Sequence, residues 1–280
     1  MSHFIHKLIN KDGQCVQLPA YVRGQDEYYN LATPNPFDQT AAQQYPYGTR
    51  FADGECVYRY MKAGNDIVRA LNGVFSFATA LETAVNTYGA SVAGATTIYV
   101  DGATAGSPAK DAWAGGYITV LGSSQTYRHV NRIVSNKAAD STSPYAVELT
   151  LAHAEPFALA DDCNCEIYPN RYSDVRTEYA TGGGTTRVCV GWVARPMTSG
   201  YFGWVKTWGP QFCVRAAELL DTNGDRDIVV AGDGAVRACA YIINGGSSGV
   251  SYQRVGYAMG VNNNSGTIEL PGWCFIQIDP

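Results

Sequence analysis

Charge is what this sequence has least of. Asp, Glu, Lys and Arg together make up 16% of its 280 residues, against about a quarter in an ordinary soluble domain. The net charge is −5 and nothing forms the basic stripe that a nucleic-acid partner demands. No apolar run comes near the roughly 18 residues needed to span a bilayer as a helix, so no membrane partner is expected. The opening MSHFIHKLINKDGQCVQLPAY lacks both a continuous apolar stretch and a small-residue cleavage site, so no secretory signal is read there. Folding in a cytoplasm is the resulting expectation.

The residues that carry catalysis are also scarce. Only four histidines exist, His3, His6, His129 and His153, and no HExxH or CxxC…HxxxH spacing links them. There is no G-x-S-x-G elbow. A Cys–His pairing assembled in space stays open, because such groups meet in the fold rather than in the sequence. Asp221, Asn223 and Asp225 stand at the first, third and fifth positions of a calcium loop, but Arg226 holds the glycine position and Gly232 the position of the bidentate glutamate. Thr181-Gly-Gly-Gly-Thr-Thr186 lacks the G-K-[ST] ending of a phosphate loop. Asp161–Asp162 reads as a solvated turn rather than a glycosidase pair. No catalytic residue, cofactor or metal is therefore expected, and the chain is read as a non-enzyme.

What is abundant is glycine (30) and tyrosine (19), with 46% hydrophobic residues overall. A surface with so little charge must be covered by Ser, Thr, Asn, Gln, Gly and Tyr, as on proteins that live packed against other proteins. Of the eight cysteines, most sit in strand-like runs such as RVCVGWV and RACAYII, where a thiol behaves as a small buried hydrophobe. Free thiols are favoured over disulfides in a reducing compartment.

Residues 1–45 read as an extended N-terminal arm. Pro19, Pro34 and Pro36 break any helix, and the aromatic Tyr21, Tyr28, Tyr29 and Phe37 suggest an arm ordered only by lying on a partner. Residues 65–88 are the one stretch with near-helical spacing (Ile67, Leu71, Val74, Ala78, Leu81, Val85), interrupted by Gly73 and VFSF. Its structure is left open. Residues 91–175 carry five strand candidates, TTIYV, GYITVLG, QTYRHVNRIV, AVELTL and CEIYPN, spaced as in a small barrel or sandwich. The rest, 46–90 with 176–280, forms a main β domain into which 91–175 is inserted. The expected fold is mainly β: two small antiparallel units, barrel- or sandwich-like, with an extended N-terminal arm and little helix.

The stretch GYFGWVKTWGP (200–210) concentrates four large aromatics. As a strand, it places Phe202, Trp204, Lys206 and Trp208 on one face, and Tyr201, Gly203, Val205 and Thr207 on the other. Both faces are apolar, so both should be buried. The Trp face reads as core. The Tyr201, Val205 and Thr207 face reads as covered by a neighbour, either another copy or the small β unit. Gly191-Trp-Val193 and Gly203-Trp-Val205 should lie on the two strands of one hairpin.

In order along the chain, YPYGTRFADGECVYRYMKAG (45–64), AWAGGYITVLGSSQTYRHVNRIVSN (112–136), GYFGWVKTWGP and VGYAMG (255–260) resemble capsid-associated structural proteins of tailed bacteriophages, described as head decoration or cement proteins. The resemblance covers about residues 45–280. It implies a non-enzymatic virion protein on the capsid exterior, assembled in the host cytoplasm. It also implies a homotrimer that binds the major capsid protein and bridges neighbouring capsomers. Tyr21, Tyr28, Tyr29, Phe37, Tyr201, Val205 and Thr207 are the candidate interface residues. The alternative is a head-fibre or tail-associated adsorption module binding glycans or a host surface.

Overall fold

The computed structural model describes residues 8–11, 14–19, 34–77, 81–101, 108–121, 128–139, 146–177, 188–214, 226–231, 233–238, 253–260 and 272–280. Among them there is no helix; eighteen strands form two antiparallel sheets of twelve and six strands. The chain divides into two compact units, one holding 78–171 and the other most of the remainder, including 28–77 and 172–280.

The smaller unit contains β6 (Leu81–Asn86), β7 (Thr97–Asp101), β8 (Tyr117–Leu121), β9 (Arg128–Asn136), β10 (Ala146–Leu151) and β11 (Asn164–Tyr168), in the order β6-β11-β8-β9-β10-β7. The two end strands meet. Thr87 bridges Val100 antiparallel, and the Tyr88 N–H donates to the Tyr99 carbonyl at 2.8 Å. One bridge thus joins the two end strands and closes the sheet at that point. Strict alternation drives this. In β10, Val147, Leu149 and Leu151 are buried while Ala146, Glu148 and Thr150 are not. The inward residues, with Ile98, Trp113, Ile118, Ile133 and Ile167 among them, make one core.

The larger unit is built around β14 (Phe202–Cys213), a strand of 12 residues. Along one edge its first half pairs with β4 (Cys56–Lys62). Its other edge is shared. Near Val205 and Lys206 it holds β13 (Cys189–Val193), and from Trp208 onward it holds β18 (Gly272–Gln277). Trp208 pairs with both Val57 and Gln277, so β14 is the corner at which one sheet divides into two. One branch continues from β13 to β5 (Gly73–Ser76) and β12 (Val175–Arg176); the other runs from β18 through β17 (Gln253–Gly260) and β15 (Asp227–Val230) to β16 (Val236–Ala238). The bend is a bulge between Lys206 and Trp208, followed by Gly209 at φ +106°.

Strands β5 and β13 are buried on both faces. Phe75, Cys189 and Trp192 join Cys213, Val255, Cys274 and Ile276 in one core. Val74, Val190 and Val193 turn the other way, to Met61, Ile67, Met197 and Val205. The predicted hairpin is present, with Trp192 opposite Lys206 and Val193 opposite Val205.

The structure assigns the stretch left open in the sequence and part of the N-terminal segment. The 65–88 stretch supplies no helix among its described residues. Ile67 bridges Met197, 73–76 is strand β5 of the larger unit, and 81–86 is strand β6 of the barrel. Its near-helical spacing arises from joining two strands of different domains. The described parts of 1–45 pair with the larger unit's own strands. Leu8–Lys11 (β1) and Gln14–Gln17 (β2) form a hairpin that continues the large sheet beyond β3 (Arg50–Asp53). Thr40 exchanges both backbone hydrogen bonds with Phe202, each at 2.9 Å.

Candidate functional site

Among its described residues the barrel holds one cluster of the kind that catalysis could use. The Glu155 side chain is only 1% exposed, and its Oε2 lies 3.3 Å from His129 Nδ1. Asn131 on β9 organises the group. Its Nδ2 donates to Glu155 Oε1 at 2.9 Å and to the His153 carbonyl at 2.8 Å. Its Oδ1 accepts the backbone N–H groups of Arg132 (2.9 Å) and His153 (3.2 Å). The neighbouring thiol is no nucleophile: burial first, then the Cys163 and Glu155 charges, push Cys165 up to about 12, so it stays protonated. Asn131 is therefore best described as a strut tying β9 to the turn after β10. Asn131→Ala removes four hydrogen bonds and leaves the buried carboxylate short of a donor, at a cost of about 3 kcal/mol. Faster hydrogen exchange at the β9 and β10 amides, relative to the large sheet, is the expected readout.

Among the described residues no group of three or more His, Cys, Asp or Glu side chains could hold a metal ion. The Asp161–Asp162 pair caps a turn, with Asp161 Oδ1 accepting the Gly89 N–H at 2.7 Å. The calcium-loop candidates Asp221, Asn223 and Asp225 and the glycine run 181–186 lie outside the described residues.

Among the described residues, seven cysteines are free thiols, five of them buried; Cys239 lies outside those residues. Burial pushes Cys189 up to about 12, and burial followed by the adjacent Cys274 thiol raises Cys213 well above its ordinary value. In native protein at pH 8, alkylating reagents should reach the half-buried Cys15 and Cys56, and should modify Cys163, Cys165, Cys189, Cys213 and Cys274 only on unfolding. The pH dependence has a definite sign. A thiol raised in the fold contributes stability that is whole below the unfolded value of 9.0. That contribution is lost as pH climbs toward 12, by about 1.4 kcal/mol per pH unit for each such group. Denaturant midpoints should fall steadily above pH 9.

The aromatic face of β14 is divided in two. Its first half is interior. Trp204 packs 5.1–5.5 Å from the rings of Tyr45, Phe51 and Tyr60, and Phe202 stacks on Tyr60 and Tyr47. Burial, with the Tyr60 phenol adding, pushes Tyr45 and Tyr47 up to about 12. Past the bulge the same face opens outward. Trp208 meets Phe275 edge-on at 5.8 Å, Phe275 stacks on Tyr257 at 5.3 Å, and Phe212 meets Trp273 edge-on at 5.1 Å. Phe212 and Trp273 are directly opposed on β14 and β18. Trp273 is 55% exposed, with Phe212 and Met259 also exposed. Monomers seldom leave rigid aromatic surface of this kind facing water without a use.

The interface residues read from the sequence fare unevenly. Tyr21, Tyr28 and Tyr29 lie outside the described residues. Phe37 is on the surface, 59% exposed, and Tyr201 is half-buried. Val205 and Thr207 are corrected: both are fully buried within the larger unit. Val205 packs with Met61, Val193 and Met197. Thr207 donates through its hydroxyl to the Asp279 carbonyl, while its own carbonyl accepts the Ile278 N–H at 2.9 Å. Asp279 in turn accepts from Arg59 (2.7 Å) and from the Tyr172 hydroxyl (3.0 Å). The cover over that face comes from the unit's own strands, not from another copy or the barrel. The exposed set, Phe212, Trp273 and Met259 with Phe275 and Tyr257 behind them, was missed. Its signal is the alternation in Trp273-Cys274-Phe275-Ile276, where both faces are apolar although the strand needs only one for its core. No protein-family model, no curated protein and no solved structure matches the chain.

Proposed function

We propose that this chain is a structural virion protein that binds the outer surface of a tailed-phage capsid and cements adjacent capsomers as a homotrimer. The sequence resemblance suggests the setting. The observation that carries the reading is the exposed aromatic face of β14, β18 and β17 around Phe212 and Trp273. It is held rigid by antiparallel pairing on both sides of β18, so little side-chain freedom is lost on docking. Trp and Tyr are the residues that anchor protein–protein contacts. A protein that binds only the assembled shell stabilises it by mass action, as RT ln(1 + [L]/Kd) per site. Three copies joined together raise the effective concentration of each further contact.

Co-sedimentation with undecorated shells tests this reading. The chain should pellet with shells and saturate at a fixed number of copies per shell. A chain that stays in the supernatant at every concentration, and stays monomeric, overturns it.

A further inference from the structure

The barrel carries a second surface that the capsid-binding role does not use. Tyr168 on β11, Tyr117 on β8 and Arg132 on β9 stand directly opposite one another across three neighbouring strands. One register step along, Glu166, Thr119 and Val130 form a second row on the same outer face. Tyr117 is 42% exposed, Tyr168 45%, and Val130 is exposed as well. Arg132 is set against Tyr117, with its guanidinium carbon 5.2 Å from the ring centroid and its Nη2 donating to the phenol oxygen at 2.7 Å. That double contact fixes the ring before anything binds.

We propose that this face is a carbohydrate-binding platform for a neutral oligosaccharide. Three observations narrow the occupant. Strand β8 is paired on both edges, by β11 and β9, so no free backbone edge can accept a peptide as an added strand. The platform carries one cation and one carboxylate, Arg132 and Glu166, and acidic residues outnumber basic ones across 78–171. A polyanion, whether nucleic acid or an acidic lipid surface, finds no matching field there. A neutral sugar does match that charge balance. The exposed parts of the Tyr168 ring and of the Tyr117 ring, which Arg132 covers on one side, attract the partly positive C–H face of a pyranose, as a ring quadrupole attracts any positive edge. Arg132, Glu166, Thr119 and the two phenol oxygens supply donors and acceptors for its hydroxyls. Tyr168 and Tyr117 are directly opposed, and such cross-strand residues have Cβ atoms about 5 Å apart, a spacing close to one sugar repeat.

The test uses the full chain, titrated by isothermal calorimetry and saturation-transfer NMR. The probes are three neutral hexamers, of β-1,4-glucose, β-1,4-N-acetylglucosamine and α-1,4-glucose, with an oligogalacturonate as the acidic comparison. At least one neutral hexamer should bind saturably. Tyr117→Ala and Tyr168→Ala should each weaken that binding tenfold or more with an unchanged far-UV spectrum, and Tyr168→Phe should retain most of it. The proposal is overturned if no neutral hexamer binds, if only the oligogalacturonate does, or if both alanine variants bind as well as the parent. If an alanine variant alters the fold, Tyr168→Ser with Tyr117→Ser in parallel reads the same loss from an intact barrel. A loss confined to misfolded variants counts against the platform.

Discussion

Gly256→Ala should leave the larger domain unable to reach its native fold. A Cβ at that position would stand 1.9 Å from the Phe275 carbonyl oxygen and 2.9 Å from its carbon. Both are backbone atoms of the paired strand β18, so no rotamer change relieves the clash. The residue also sits at φ +146°, a conformation that an L side chain rarely adopts. The only escape is to separate β17 from β18, and those strands carry Val255, Ala258, Cys274 and Ile276 into the core. The cost should exceed about 4 kcal/mol, a large share of the 5–15 kcal/mol that holds an ordinary domain. Gly54→Ala is the matched comparison. It has φ +57° but nothing within 4 Å of the new Cβ, so it bears only the backbone term, about 1–2 kcal/mol. Chemical denaturation of the two variants side by side should show a near-normal transition of the larger domain for Gly54→Ala and no transition of that domain for Gly256→Ala. Equal midpoints would mean that the β17–β18 register is not as described.

Replacing Phe212 and Trp273 together by serine should abolish docking while sparing the fold. Both side chains project outward from strands whose inward neighbours, Cys213 and Cys274, stay in the core. Losing the pair removes one edge-on ring contact at 5.1 Å, a stability change within about 1 kcal/mol. The expected loss in binding to shells is a hundredfold or more, about 2.8 kcal/mol by the conversion of affinity to free energy. Wild-type-like affinity in a folded double variant would remove this face from the docking surface.

The two faces of GYFGWVKTWGP show what was legible in the sequence and what was not. Alternation correctly announced that β14 is apolar on both sides. What it could not supply was the identity of the cover. Val205 is closed over by Met61, Val193 and Met197, and Thr207 by the 278–279 segment. Those residues are scattered from position 61 to position 279, and no local pattern links them to the strand. The bulge at Lys206–Trp208 is equally silent in sequence, yet it turns the aromatic face from interior at Trp204 to surface at Phe212. The strands of the barrel were easier to read. AVELTL alternates cleanly because one face meets a core and the other meets water. Its sixth strand was hidden in the 65–88 stretch, where two short strands of separate domains combined into a false helical period. For the candidate site, the aromatic and tyrosine-rich character was plain from composition, but the choice of rings left exposed depended on register.

The central claim is that the β14–β18–β17 face is a docking surface for an assembled shell. It is tested most directly by cryo-EM of undecorated shells mixed with saturating protein. The predicted result is density at three-fold or quasi-three-fold positions, with Phe212 and Trp273 of each copy against the shell. Bare three-fold positions, or bound copies with that face turned to solvent, would contradict it.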